Sequence, residues 1–223
     1  MINKQLNQIA VLFDMDGVIV DNMLWHLKAW KIFYEKYSIP FSTDDFKQQF
    51  GRTNKQILCH LFNRQVNDDE AQRLGEEKEK IYRDIYTPHI KPAAGLIEFL
   101  QALKSNGIKT AVATSAPPEN ASFVLDNLQL HTYFDAVVDA THITKGKPDP
   151  EVFLKSAQAL GASPDQCIVF EDSLAGIKAG NNALMKVIGI TTTHLANELS
   201  GTVINFPDFK NISLNDLLNV ING

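Results

Sequence analysis

Five short apolar runs, rich in β-branched residues, limit what this 223-residue chain can fold into. They are IAVLF (Ile9 to Phe13), KTAVA (Lys109 to Ala113), AVV (Ala136 to Val138), CIVF (Cys167 to Phe170) and MKVIGI (Met185 to Ile190). In each the apolar residues are continuous rather than alternating, which is the pattern of strands covered on both faces. Helical patterns lie between the later runs. GLIEFLQALKSNG sets Leu96, Phe99, Leu100 and Leu103 on one face and stops at Gly107. PDPEVFLKSAQALG begins with Pro150 in its first turn and ends at Gly161. Strands alternating with helices of this length predict βαβ units and therefore an α/β fold built on a parallel sheet.

The segment between Phe13 and Lys109 is far longer than one crossover helix needs. It is rich in helix formers and aromatics: LWHLKAWKIFYEKY, then TNKQILCHLF, then DDEAQRLGEEKEKIYRDIY. Residues 22–91 are therefore expected to form an inserted α-helical subdomain, with 1–21 and 92–223 forming the core. The length suits one sizeable domain with a small insert, and 44% hydrophobic with 21% charged residues is a globular composition. A net charge of -5 gives no basic surface for nucleic acid, so an anionic ligand would need a metal or well-placed lysines. Cys59 and Cys167 show no pairing pattern, which fits a reducing compartment. The first apolar run is broken at Asp14, so neither a signal peptide nor a membrane span is expected, and the expected location is cytoplasmic.

In open α/β sheets ligands sit outside the carboxyl ends of the strands. The polar residues there are Asp14 and Asp16 after the first run, Thr114 and Ser115 after the second, Lys147 in KGKPDP, and Glu171 and Asp172 in FEDS. Each piece alone also reads as a turn, a loop or a helix cap. Their joint order, each at a strand end, points to metal-assisted phosphoryl transfer. A carboxylate can attack phosphorus, splitting one hard step into two. Clustered anions need a hard cation such as Mg²⁺ on oxygen ligands. Hydroxyl, amide and lysine donors stabilise the transferring oxygens, and a second carboxylate can move the proton. Gly17 lets the backbone turn sharply beside such a site.

The segments FDMDGVIVDN, VATSA, KGKPDP and FEDSLAGIKAG resemble the four ordered motifs of the haloacid dehalogenase-like superfamily. The resemblance implies a Rossmann-like parallel-sheet core with a mobile helical cap. It implies Asp14 as nucleophile and Mg²⁺ ligand, and Asp16 as general acid/base that also binds the metal through its backbone carbonyl. Thr114, Ser115 and Lys147 would bind phosphate and Asp172 would ligate the metal, with Glu171 a further member of the metal site. An aspartate at position 16 favours phosphate chemistry over dehalogenation. DNMLWHLKAW is similar to the opening of the cap in the β-phosphoglucomutase-like branch, with His26 and Trp30 matching, and Lys78 matches a cap lysine that reaches the substrate.

Two departures bear on the reaction. In the mutases an arginine of the cap loop and a lysine after the second motif hold the distal phosphate. Here FGRTNKQIL displaces Arg52 toward the glycine and puts Asn54 where the arginine is expected. After ATSA comes PPEN, with Pro117 or Pro118 replacing the lysine and Asn120 keeping a neighbouring polar contact. Each charge-assisted bond lost is worth about 1.5–3 kcal/mol, and Arg52 or Lys55 are the candidates to compensate. GRT also resembles the cap loop of related phosphatases. The expectation is a monomeric small-molecule phosphatase acting on a phosphorylated metabolite. A sugar-phosphate mutase is the alternative, and a non-catalytic phosphate-binding module ranks last because the motif residues are all present.

The rest reads as structure. The aromatic stripe WHLKAWKIFYEKY is cap core; Ala175, Gly176, Ala179 and Gly180 form a small-residue helix face. GEEKEKIYRD is a solvated helix face from which only Lys78 is singled out. His60, His89, His131, His142 and His194 lack metal-ligand spacing, and no G-x-x-x-x-G-K-[ST] or G-x-S-x-G motif occurs.

Overall fold

The computed structural model describes residues 6, 8–47, 49 and 52–223; Phe50 and Gly51 of the FGRT segment lie outside the described residues. Its frame is a parallel sheet in the order β3-β2-β1-β4-β5-β6. The strands are β1 (Ala10–Phe13), β2 (Lys109–Ala113), β3 (Ala136–Val138), β4 (Cys167–Glu171), β5 (Lys186–Ile190) and β6 (Ile204–Phe206). Phe13 is in register with Val112 of β2 and Phe170 of β4, so the carboxyl ends of the three central strands stop at one level. That alignment is what brings distant motifs together.

The five expected strands are present with small shifts: β1 starts at Ala10 rather than Ile9, β4 extends to Glu171, and β5 starts at Lys186. β6 is an addition. Its three residues, INF, are exposed or half-buried and form no apolar run, because an edge strand is covered less completely than a central one. The same effect leaves the first two residues of β3 half-buried, whereas β1 and β4 are buried throughout.

Alternate residues of β1 feed two cores. Val11 and Phe13 join Phe99, Leu100, Phe170 and Phe209 on one face; Ala10 and Leu12 join Val152, Phe153, Val169 and Ile177 on the other. Phe13 stacks on Phe170 with ring centroids 5.2 Å apart. Burying such side chains is worth about 1.5–3 kcal/mol each, so charge is tolerated only where the strands end.

The crossover after β1 carries α1 (Met23–Lys36), α2 (Thr43–Lys47), α3 (Asn54–Phe62) and α4 (Asp68–Tyr86). α5 (Leu96–Ser105) then leads into β2, followed by α6 (Pro118–Asn127), α7 (Glu151–Leu160), α8 (Leu174–Asn182) and α9 (Leu214–Asn222). α7 ends at Gly161 as expected, but Pro150 is its N-cap rather than part of its first turn. The helices inserted after β1 have a core of their own, in which Trp30, Phe33 and Tyr34 pack on Phe46, Leu58 and Leu74. Trp25 departs from that stripe and stacks on His89, with centroids 4.3 Å apart. α4 begins where Asn67 accepts from Glu70 N at 2.9 Å, with Asp68, Asp69 and Glu70 at its positive end. Among the described residues no helix is long and apolar enough to cross a membrane.

Candidate active site

Asp14 lies one residue past β1, and its amide still donates to Phe170 O at 3.0 Å, which fixes its direction. The carboxylate is buried and its Oδ1 sits 2.8 Å from Lys147 Nζ. That ammonium also donates to Glu171 Oε1 at 2.6 Å. Glu171 Oε2 accepts from the amides of Asp172 and Ser173 and from Ser173 Oγ, each at 3.0 Å. Asp172 accepts from the Thr193 hydroxyl, and its backbone carbonyl lies 3.0 Å from His194 Nδ1.

Asp14, Glu171 and Asp172 each place a carboxylate oxygen within 4.8 Å of the others. Three buried carboxylates thus cluster around one ammonium, which contacts two of them, Asp14 and Glu171. Burial is the chief force pushing the Asp14 carboxyl up to about 7; Lys147 opposes it, and Glu171 and Asp16 add repulsion. Burial also leads in raising Asp172, reinforced by Glu171 and Asp14, with Thr193 and Lys147 only partly offsetting them. Burial pulls Lys147 down, but Asp14 and Glu171 outweigh it and hold the ammonium charged. This oxygen-rich, under-neutralised cluster fits a hard divalent cation. Asp14 and Asp172 have oxygens to offer it, whereas both oxygens of Glu171 are already committed to hydrogen bonds. The loop after β1 can lie against this cluster because Gly17 adopts φ +82° and a Cβ there would land on the Asp172 carboxylate. A Cβ at Gly176 would likewise meet the Glu171 carboxylate, and one at Gly180 would meet the Val187 side chain, which accounts for the two glycines of α8's small-residue face.

Asp16 belongs to a separate network. Its Oδ1 accepts from Asn22 Nδ2 at 2.6 Å and lies 3.4 Å from His26 Nε2. Asn22 also donates to Tyr82 Oη at 2.6 Å and accepts from Gly17 N at 3.2 Å. His26 stacks on Tyr82, centroids 3.8 Å apart, and its Nδ1 lies 3.0 Å from Lys78 Nζ. Because the ammonium can only donate, Nδ1 is the acceptor in that contact, and a ring N–H on Nε2 faces Asp16. Burial favours the neutral acid at Asp16, but His26, Asn22 and Lys78 together outweigh it and keep the carboxyl below its usual range.

The two networks meet in a cavity of about 70 Å³. Asp14, Asp16, Thr114, Ser115, Lys147 and Asp172 line its inner end; His26, Arg52 and Lys78 line the part under the inserted helices. Thr114 is buried at the end of β2, its amide donating to Val138 O at 2.9 Å and its hydroxyl accepting from Ala116 N at 3.0 Å. Of the expected site residues, Glu171 and Asn120 do not line the cavity. Glu171 stands behind Lys147. Asn120 is fully buried, accepting from Arg83 at 2.7 Å and donating to Glu79 Oε2 at 2.6 Å. Lys55 pairs with Asp68 at 2.6 Å.

Contributors that were not read from the sequence include Asn22, Gln49, Glu79 and Thr193. Glu79 is the instructive one, because the GEEKEKIYRD segment was expected to expose it, yet it is 3% exposed. The buried positions of α4 are Ala71, Leu74, Gly75, Lys78, Glu79, Tyr82 and Tyr86, a stripe at helical spacing that includes both charged residues. Lys80 and Asp84, paired at 2.6 Å, mark the solvated face. Thr193 follows β5, a strand end from which no candidates had been drawn.

A sequence profile of the family described as haloacid dehalogenase-like hydrolase matches residues 11–190. The "Phosphorylated carbohydrates phosphatase" of Thermotoga maritima is 33% identical over 186 residues, covering 81% of this chain and 84% of that protein. The "Beta-phosphoglucomutase" of Bacillus subtilis is 35% identical over 190 residues, covering 81% of this chain and 82% of that protein. A crystal structure of a HAD hydrolase, family IA, variant 3, from Entamoeba histolytica superposes with a TM-score of 0.88 at 33% identity, covering 96% of this chain and 100% of that one. The profile match runs from β1 to the end of β5 and so takes in the strand ends that carry Asp14, Thr114 and Asp172: the chain belongs to the haloacid dehalogenase-like hydrolases.

Proposed function

We propose that the chain is a Mg²⁺-dependent phosphatase of a small phosphorylated metabolite, working through an aspartyl-phosphate on Asp14. The observation that carries this reading is the separation of two buried carboxylate networks at one cavity. Asp14 sits with Lys147 and Asp172, while Asp16 sits 3.4 Å from His26 in a network of its own. Asp14, Asp172 and the backbone carbonyl of Asp16 would hold Mg²⁺, whose positive charge would favour the ionised, nucleophilic form of Asp14 and neutralise the incoming phosphate.

Asp14 attacks phosphorus, and the bond from phosphorus to the leaving oxygen breaks. Asp16 gives that oxygen its proton. The substrate's negative charge raises the proton affinity of Asp16 against the pull of His26 and Lys78, so the acid form is available when it is needed. Water then attacks the aspartyl-phosphate, Asp16 takes its proton, and phosphate leaves with Asp14 restored as a carboxylate. Lys147, Thr114 and Ser115 stabilise the transferring oxygens. Residues 22–91 act as a cap over a core of 1–21 and 92–223. A cavity of about 70 Å³ is well below the volume of an ordinary small-molecule pocket, and these helices would move aside to admit a larger substrate.

The mutase reading is supported by the contact of Lys78 with His26 beside Asp16, and by the named mutase among the relatives. One screen separates the two. The protein is given Mg²⁺ and a panel of phosphorylated metabolites that includes pyrophosphate and β-glucose 1-phosphate, with both phosphate and isomer measured. Net phosphate release that disappears with chelator and in Asp14→Asn supports the phosphatase. Full activity in either condition overturns it, and isomer conversion without net release assigns the mutase.

A further inference from the structure

Glu79 is a buried carboxylate on the wall of the cavity opposite the strand ends, in the part that must receive the leaving group. Its Oε1 accepts from Lys78 Nζ at 2.7 Å and Asn54 Nδ2 at 2.8 Å, and its Oε2 accepts from Asn120 Nδ2 at 2.6 Å. Three donors from α4, α3 and α6 therefore hold it in one place and in its charged form. Burial works against that charge, but Lys78, His26 and the bonds from Lys78 and Asn120 outweigh it and keep the carboxyl below its usual range.

Among the described residues, the buried cations nearby are already used. The Lys78 ammonium is divided between Glu79 and His26, and Arg83 donates to Asn120. Arg52 lines the cavity but is exposed, where water screens its pull on an anion. What the wall offers instead are acceptors and apolar surface. Gln49 is 4% exposed, lines the same cavity, and its Oε1 is buried without a hydrogen-bond partner. The Asn54 amide donates to Glu79 and leaves its carbonyl oxygen as an acceptor. Trp30 and Ile57 supply apolar contact beside them. Unpaired buried acceptors call for hydroxyl donors, and a fixed carboxylate repels a second phosphate.

Resting on the phosphatase reading above, we propose that Glu79 is the specificity-determining residue of the leaving-group pocket, reserving it for a neutral, hydroxyl-bearing group and excluding a second phosphate. The substrates are then monophosphate esters of polyhydroxylated molecules. A bisphosphate is discriminated against by charge, as a molecule of nearly the same shape that meets repulsion where the monophosphate meets acceptors.

The test uses the full chain with Mg²⁺ and p-nitrophenyl phosphate as reporter, with fructose 6-phosphate and fructose 1,6-bisphosphate as competitors. In the wild type the bisphosphate is expected to compete about tenfold more weakly than the monophosphate or worse. Glu79→Gln keeps an acceptor for Lys78 and Asn54 but removes the charge, and the ratio should fall toward one. Asn54→Arg keeps the Glu79 carboxylate but exchanges one of its three donors for a cation that offsets its charge; it should shift the ratio the same way and carries the test should Glu79→Gln fail to fold. A bisphosphate that competes as well as the monophosphate in the wild type, or a ratio unmoved in the folded variants, overturns the proposal. Absence of competition by either sugar overturns the hydroxyl-bearing class. Failure to turn over p-nitrophenyl phosphate refutes the phosphatase reading instead; the same ratio is then read by titration calorimetry, with the same outcomes for Glu79.

Discussion

Lys78→Met is expected to destabilise the metal-free protein by about 3 kcal/mol at neutral pH, the lower end of the cost of breaking a buried ion pair. The figure follows from the surroundings. The Lys78 and Glu79 side chains are 2% and 4% exposed, so water cannot take over the role of the lost ammonium. Asn54 and Asn120 remain as donors to the carboxylate, which keeps the loss from the top of the range. Methionine fills most of the stem volume against Trp30 and Tyr82, so packing contributes little. For a chain of this size that loss lowers the melting midpoint by roughly 6–12 °C. The sign of the pH dependence is also fixed. In the wild type Glu79 is held below its ordinary value, so its stabilisation is present above that value and is lost as pH falls through the lower folded one. In the variant burial acts without the ammonium, Glu79 takes up a proton more readily, and acid relieves part of the penalty. Melting curves of both proteins in chelator, at about pH 7.5 and about pH 5, should therefore show the larger gap at the higher pH. A loss below about 1 kcal/mol, the range of exposed pairs, or an equal gap at both pH values, would refute the buried-pair reasoning.

Three further outcomes follow from the site. Asn22→Ala removes the donor that orients Asp16 and strands the Tyr82 hydroxyl; kcat on p-nitrophenyl phosphate should fall about tenfold with KM little changed, and an unchanged kcat contradicts the positioning role. Thr193→Val takes a donor from Asp172, so the Mg²⁺ concentration for half-maximal rate should rise about tenfold, measured by metal titration. Gly17→Ala forces a Cβ into the Asp172 carboxylate at φ +82°; it should raise the same Mg²⁺ requirement further and cost about 1–2 kcal/mol of stability, and wild-type Mg²⁺ dependence would contradict the close approach.

The central sheet was legible because β1 and β4 are buried on both faces and so read as unbroken apolar runs. β6 was not, because its residues are exposed or half-buried and nothing in INF distinguishes an edge strand from a loop. The inner residues of the cavity were legible for a related reason: a charge directly after such a run stands out. Asp14, Thr114 and Asp172 were found that way, and register at the strand ends then brings them together. The residues beneath the inserted helices obey no such rule. Lys78 emerged only through resemblance, and Glu79 was missed because its neighbours in GEEKEKIYRD are charged. The repeat of Ala71, Leu74, Gly75, Tyr82 and Tyr86 already marked the buried face on which it falls. Asn120 shows the remaining limit: its partners Glu79 and Arg83 come from a distant helix, and no local pattern in PPEN encodes them.

The most direct test of the account is to trap the intermediate. The protein is mixed with Mg²⁺ and p-nitrophenyl phosphate, quenched in acid during turnover, and digested for mass spectrometry. A single phosphoryl group on the peptide containing Asp14, absent with chelator and absent in Asp14→Asn, is the expected result. Phosphate release at the wild-type rate by Asp14→Asn, or a phosphoryl group on any other residue, would contradict it.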